Sequence, residues 1–143
     1  MVYSMCGCHF EGFAANAATT VVAGEAKLEG KEATTLLAAY HASQAAQRAI
    51  RVGGTNNEVT EAIAAVCEEY GVNPVEGVLS HKIKKHLIDG NDVIINKETS
   101  DQRVEEYEFA PGDVIGLDVY VSSGEGKPKE SSSRCTVFKR ELQ

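Results

Sequence analysis

Residues 73–90, NPVEGVLSHKIKKHLIDG, limit the fold more than any other stretch of the chain. Val75, Gly77 and Leu79 fall on one side and Glu76, Val78 and Ser80 on the other, the two-residue period of a β-strand. Turn signals stand at both ends, Asn-Pro before it and Asp-Gly after it. His81, Lys82, Lys84, Lys85 and His86 then arrive within six residues. A strand ending this way must carry its charged end to a surface. A histidine at the end of a buried strand is a metal-ligand candidate. Three ammonium groups beside it disfavour a cation and favour a phosphate.

The elements around this stretch read as β-ribbon, two helices, then antiparallel strands. Residues 1–24 read as strand, tight turn, strand, with Gly7 and Gly12 bracketing a short ribbon and β-branched residues at 19–22. The chain opens almost inside its first strand, so a fragment of a larger fold is expected. Residues 30–51 form an alanine-rich helix, with Leu37, Tyr40, Ala45 and Ile50 among its apolar positions and Gly53-Gly54 ending it. Thr55 and Glu58 have the spacing of a capping box, and Val59, Ile63, Val66, Cys67 and Tyr70 then follow on one helical face until Gly71. This places Cys67 as a packed thiol. Residues 91–95 read as a short strand, Pro111-Gly112-Asp113 as a turn, residues 114–121 as the strongest strand, and 135–139 as a returning strand. The class is α+β, with helices packed on one face of a curved, mostly antiparallel sheet.

Composition excludes some classes. At 143 residues, with 43% apolar and 24% charged residues, the chain is long enough for one domain with a real core. No run approaches the ~20 apolar residues of a membrane span. The opening residues lack the basic and apolar segments of a secretory signal, so Cys6, Cys8, Cys67 and Cys135 are expected to be reduced thiols. The net charge of −7 is unevenly spread, with acid at 58–69 and 101–108 and base at 82–85 and 127–140. Exposed charges more than ~10 Å apart are largely screened, so a local basic face can still hold a polyanion.

Several constellations carry candidate chemistry. Cys6-x-Cys8-His9 lacks the second pair and the spacing of a structural zinc site. Asp118, inside an apolar run, is costly to bury unless partnered, and periodicity leaves both of its orientations open. The run 122–127 lacks the spacing of a phosphate loop and opens no helix. His41 is a surface or packing histidine, and no serine sits on a strained turn beside a histidine as a hydrolase triad needs. Lys82, Lys84 and Lys85 form one basic group and Lys127, Lys129, Arg134, Lys139 and Arg140 another. With no tryptophan and few aromatic residues, contact would be to backbone phosphates rather than to bases.

The blocks GFAANAATTVV, VGGTNNEVTEA, PVEGVLSHKIKKHLIDG, DVYVSSGEGKPK and TVFKRE resemble, in order, those of the proliferation-associated, ErbB-receptor-binding protein family. That resemblance implies the pita-bread fold of the methionine aminopeptidases without their activity. The related aminopeptidases hold two divalent metals with two Asp, one His and two Glu. By the resemblance those positions fall at Met5, Asn16, His81 and Asp118, with the last Glu beyond Gln143. A thioether and an amide in place of two carboxylates imply neither metal nor catalysis.

The expectations are then explicit. Residues 1–143 form a single aminopeptidase-like domain that lacks the N-terminal half, the later insert and the basic tail of its relatives. The chain is non-catalytic, needs no cofactor, takes no small-molecule substrate and binds no membrane. It binds the large ribosomal subunit and structured RNA in the cytoplasm and nucleolus, and thereby regulates translation, ribosome biogenesis or growth. Its contacts are Lys82, Lys84, Lys85, Lys127, Lys129, Arg134, Lys139 and Arg140. The alternatives are an active metal-dependent aminopeptidase, or an adaptor for partners such as receptor tails.

Overall fold

The computed structural model describes residues 1–24, 27–136 and 138. Strands β1 (Val2–Phe10) and β2 (Phe13–Val21) pair antiparallel from Val2↔Val21 to Phe10↔Phe13. The two-residue turn between them has positive φ at both positions, 49° at Glu11 and 90° at Gly12. That sign at both positions matches the right-handed twist of the ribbon, and Glu11 accepts a conformation that glycine takes more readily. Gly7 does not bracket the ribbon. It lies mid-strand opposite Asn16, where a Cβ would stand 2.6 Å from the Asn16 Oδ1.

Helices α1 (Gly30–Ala49) and α2 (Asn56–Glu69) pack against each other. Thr55 caps α2, its Oγ1 accepting from the Glu58 N–H at 3.4 Å. The Glu58 carboxylate does not return to the cap but pairs with Arg51 at 3.0 Å. The buried stripe of α2 is Val59, Ile63 and Cys67, as its apolar period predicts, with Val66 and Tyr70 half-buried at its margin. Burial pushes the Cys67 thiol up to about 11, so it stays protonated and inert. On α1 the pattern departs from expectation. Leu37 and Tyr40 are 51% and 60% exposed, and the core face is Ala38, Ala42 and Ala46. Residues four apart share one face, and three methyl groups there let α2 approach closely.

Five short strands in two sheets form the layer that α2 covers. Strand β4 (Leu79–Ile83) lies between β5 (Val93–Ile95) and β6 (Val114–Gly116), antiparallel to both. Beside it β3 (Asn73–Pro74) pairs with β7 (Val121–Ser122). The alternation of residues 75–80 does not continue as one strand, because a turn at Glu76-Gly77, with φ 74° at Gly77, separates β3 from β4. Residues 114–121 are likewise interrupted. The hydroxyl of Ser80 accepts from the Asp118 N–H at 2.9 Å and donates to its carbonyl at 3.2 Å. Asn96, 1% exposed, donates to the carbonyls of Val75 (2.9 Å) and Tyr120 (2.8 Å) and accepts from the Tyr120 N–H (3.4 Å). Side chains thus satisfy backbone groups that a ladder would otherwise satisfy. Asn56 plays the same part below α2, donating to Val93 and Glu105 and accepting from Tyr107.

The turn at 111–113 forms as expected, Ala110 N–H reaching the Asp113 carboxylate at 3.0 Å. Residues 135 and 136 are not in a strand, and the remainder of the expected returning strand includes positions outside the described residues. The α+β class stands, with the helices on one face of antiparallel strands.

Asn96→Ala should lower the unfolding free energy by about 2–4 kcal/mol, since it orphans buried backbone groups. Asn96→Asp at neutral pH should cost similarly, because a carboxylate cannot donate to two carbonyls. Urea unfolding of the three proteins checks both.

Candidate functional site

Four side chains define the candidate site, and two anchors position them. Directly paired residues of an antiparallel ribbon share a face, so Met5, opposite Ala18, and Asn16, opposite Gly7, lie on the same face as Tyr3. The Tyr3 hydroxyl is hydrogen-bonded to that of Tyr120, with ring centroids 5.8 Å apart, and it also touches the Met5 Sδ at 3.8 Å. At the ribbon tip His86 N–H donates to the Gly12 carbonyl at 2.8 Å. A Cβ at Gly12 would collide with the His86 ring, so this docking needs glycine. The ribbon's Tyr3–Met5–Asn16 face is therefore fastened to the segment that carries Asp118.

His81 follows Ser80 on β4 and pairs across to Gly116 on β6. Its Nδ1 lies 3.0 Å from the Gly90 carbonyl, an acceptor only, so Nδ1 carries the proton and a neutral ring leaves its lone pair at Nε2. Asp118 is exposed, which decides the orientation that periodicity left open. The protein around its carboxyl still removes enough water to push its pKa up, while a charged His81 pulls it down. Burial pushes the Tyr120 hydroxyl well above the usual phenol range, reinforced by its bond to Tyr3.

The model of metallopeptidase family M24 matches residues 1–133. The chain belongs to that family. It is 42% identical over 139 residues to proliferation-associated protein A of Dictyostelium discoideum, covering 95% of this chain and 36% of that protein. It is 40% identical to ErbB-3 binding protein 1 of Arabidopsis thaliana, covering 94% of this chain and 35% of that protein. It is 38% identical to the curved DNA-binding protein of Schizosaccharomyces pombe, covering 98% of this chain and 38% of that protein. Among solved structures a thermophilic Arx1 superposes with a TM-score of 0.76 at 24% identity, covering 86% of this chain and 39% of that one. The fold is thus the aminopeptidase-like, pita-bread α+β fold in part. Within the family the likeness is to the proliferation-associated and ErbB-binding branch. The chain spans just over a third of the length of these curated relatives.

An M24 metallopeptidase name implies metal, and the donors here do not fit a divalent pair. Met5 offers a soft thioether, and Asn16 a neutral amide oxygen that hangs over Gly7. Only His81 and Asp118 remain as ordinary ligands, with a single negative charge between them. Among the described residues no three His, Cys, Asp or Glu side chains converge as a metal-binding group. Hard oxygen-seeking ions need more carboxylate charge than this. Cys6 and Cys8 are free and exposed on the opposite ribbon face from Met5.

The structure divides the expected basic residues. Lys82 departs from expectation, because it is occupied within the fold. Its ammonium pairs with Asp113 at 2.8 Å and Asp92 at 3.3 Å, with the side chain 18% exposed. Lys84 and Lys85 lie on the exposed turn after β4, and Lys85 stands 5.6 Å from the Phe13 ring centroid. Neither has a carboxylate within ion-pairing distance among the described residues. Lys127, Lys129 and Arg134 are exposed beyond Gly126, whose carbonyl accepts from the Glu76 N–H at 2.8 Å. They therefore start at the Leu79 end of β4, whereas Lys84 leaves its other end, roughly 17 Å along a five-residue strand. The two groups flank β4 and do not form one cluster around it. Lys139 and Arg140 lie outside the described residues.

Sequence reasoning missed Ser80, Asn56 and Asn96, whose polar side chains look like surface residues in a one-dimensional pattern. It also missed Tyr3 and Tyr120, whose partnership joins residues 117 positions apart.

Lys82 holds the Asp113 carboxyl below the usual carboxylate range, with the Ala110 N–H adding to the effect. Asp113 in turn raises Lys82. A depressed carboxyl stabilises the fold above its unfolded pKa and loses that contribution as pH falls through its folded one. A raised ammonium stabilises below its unfolded pKa and loses that contribution as pH rises through its folded one. The pair's contribution should therefore span roughly pH 4 to 10. Asp113→Asn should lower Tm at pH 7 and flatten its fall on the acid side, read by a pH series of thermal melts.

Proposed function

We propose that this chain is a non-catalytic member of the M24 family that binds phosphate-rich partners, namely the large ribosomal subunit and structured RNA, in the cytoplasm and nucleolus. Through that binding it acts on translation, ribosome biogenesis or growth. The observation that carries the reading is the absence of hard carboxylate donors at Met5 and Asn16 together with the exposed ammonium groups of Lys84 and Lys85 on the turn after β4, which form no ion pair among the described residues. Without a metal no activated water and no polarised carbonyl would form. Lys84 and Lys85 instead present charge to a backbone polyanion at the mouth of the same site. The fission-yeast relative is named for binding curved DNA, itself a phosphate polymer. Lys127, Lys129 and Arg134 supply a second contact on the far side of β4, to which Lys139 and Arg140 belong by sequence.

Added manganese, cobalt or zinc should leave Tm unchanged, and the purified protein should carry no stoichiometric amount of any of them. A metal that binds the folded state alone would raise Tm, and release of N-terminal methionine from a peptide would then restore the aminopeptidase reading.

Co-sedimentation with large ribosomal subunits across a salt series tests the binding. Pelleting should fall steeply with salt, and Lys84→Glu with Lys85→Glu should weaken it similarly for different RNA sequences. The slope of log K against log salt should flatten by about 2. Unchanged binding by this double variant would sink the assignment. A second reading has its own support in the exposed apolar residues Phe10, Phe13, Leu87 and Ile88 around the ribbon tip. The Arabidopsis relative is named for binding a receptor, ErbB-3. A partner retained at high salt and after nuclease treatment would favour that protein-adaptor reading.

A further inference from the structure

The run Lys127-Pro-Lys-Glu-Ser-Ser-Ser-Arg134 holds three consecutive serines inside the second basic group. Up to Gly126 this loop is tied to the body. Asn73 donates to the Gly124 carbonyl at 2.8 Å, and the buried Gly126 sits where a Cβ would stand 2.5 Å from the Pro74 carbonyl. Beyond that anchor residues 127–136 are all exposed and form no helix or strand. Among the described residues the Ser131 hydroxyl bonds only to Ser133, at 3.1 Å to its Oγ and 3.2 Å from its N–H. A bond confined to neighbouring serines opens without disturbing the core. The segment can therefore lie extended in an enzyme's groove.

We propose that Ser131, Ser132 and Ser133 are a phosphorylation site for a kinase that prefers cationic substrates, and that phosphorylation switches off the second phosphate-binding group. The regulation rests on the polyanion-binding reading above, whereas the modification itself does not. Lys129 stands two residues before Ser131 and three before Ser132, and Arg134 stands two after Ser132. Flanking cations on both sides suit a substrate groove lined with carboxylates. In the transfer the serine Oγ attacks the γ-phosphorus of Mg-ATP and the bond to the β-phosphate oxygen breaks. ADP leaves, and the hydroxyl proton passes to the kinase's base.

The charge arithmetic decides the effect. Lys127, Lys129 and Arg134 against Glu130 give residues 127–134 a net charge of +2. Each phosphate adds roughly −1.5 to −2 near neutral pH. Two phosphates already reverse the sign of the run, and three bring it to roughly −3. The new phosphates would also pair with Lys129 and Arg134, taking those cations away from RNA.

The test treats the full chain with a basophilic serine/threonine kinase and Mg-ATP, and locates phosphate by mass spectrometry. Phosphate should appear within 131–133, and a variant with all three serines changed to alanine should lose it. Phosphate found only elsewhere, or none, overturns the site. Binding of a fluorescent hairpin RNA is then measured for the unmodified, phosphorylated and triple-alanine proteins. Phosphorylation should weaken binding about tenfold or more at low salt, while the alanine variant binds like the unmodified chain. Equal binding by phosphorylated and unmodified proteins overturns the switch. If the unmodified chain itself does not bind RNA, the polyanion reading fails instead, and the mapped phosphate still decides the site.

Discussion

Buried side chains that hydrogen-bond to backbone hold the centre of this protein together. Ser80 grips both polar backbone groups of Asp118, Asn96 grips both of Tyr120, and Asn56 joins the start of α2 to β5 and the 105–107 segment. The strands they connect are only two to five residues long. Ladders this short satisfy few backbone groups, and an unsatisfied buried amide costs about as much as a lost hydrogen bond. The amide side chain of asparagine can donate twice and accept as well, which neither aspartate nor leucine can do. These clamps free the 117–120 segment from ladder pairing. They also leave the Asp118 side chain exposed and within electrostatic reach of His81.

The same economy extends to the candidate site, whose segments are held by contacts outside its four side chains. Family M24 membership rests on the match to residues 1–133, and the site's segments are held by Tyr3 on Tyr120, His86 on Gly12 and Ser80 on the Asp118 backbone. Met5 and Asn16 bring no charge to the ribbon face, and the ribbon keeps its full register around them. Lys84 and Lys85 put two positive charges on the exposed turn just after β4. A fold can keep its architecture while its site exchanges metal chemistry for surface recognition.

Local periodicity made part of this legible. The cap and buried stripe of α2, the ribbon and the turn at 111–113 follow from neighbours within a few residues, and all of them formed. The α1 face could not be read by size, because alanine is chosen there for closeness to α2 and the larger Leu37 and Tyr40 point outward. The interruptions at Glu76-Gly77 and Asp118 were hidden for a similar reason. Alternation along residues 75–80 and 114–121 is real in the sequence, but the partners that break it, Ser80 and Asn96, act across the sheet. Lys82 shows the same limit electrostatically. One of its two carboxylates lies 10 positions away and the other 31, so a basic run read in one dimension included a cation already spoken for. Periodicity says nothing of Met5, Asn16, His81 and Asp118 as a group, which enters the reading only through the family resemblance.

The ribbon behaves mechanically as a beam pinned near its two ends, by Tyr3 against Tyr120 and by Gly12 against His86. Between those pins most of its residues are exposed, with Ala14 half-buried. The Met5–Asn16 face is therefore tied to the rest of the protein through small contacts near the ribbon's ends, Lys85 over the Phe13 ring among them, and through the stiffness of the paired strands. Loosening either pin would swing the middle of the beam as a unit, and the mouth of the site would widen or narrow without any change in the residues that line it.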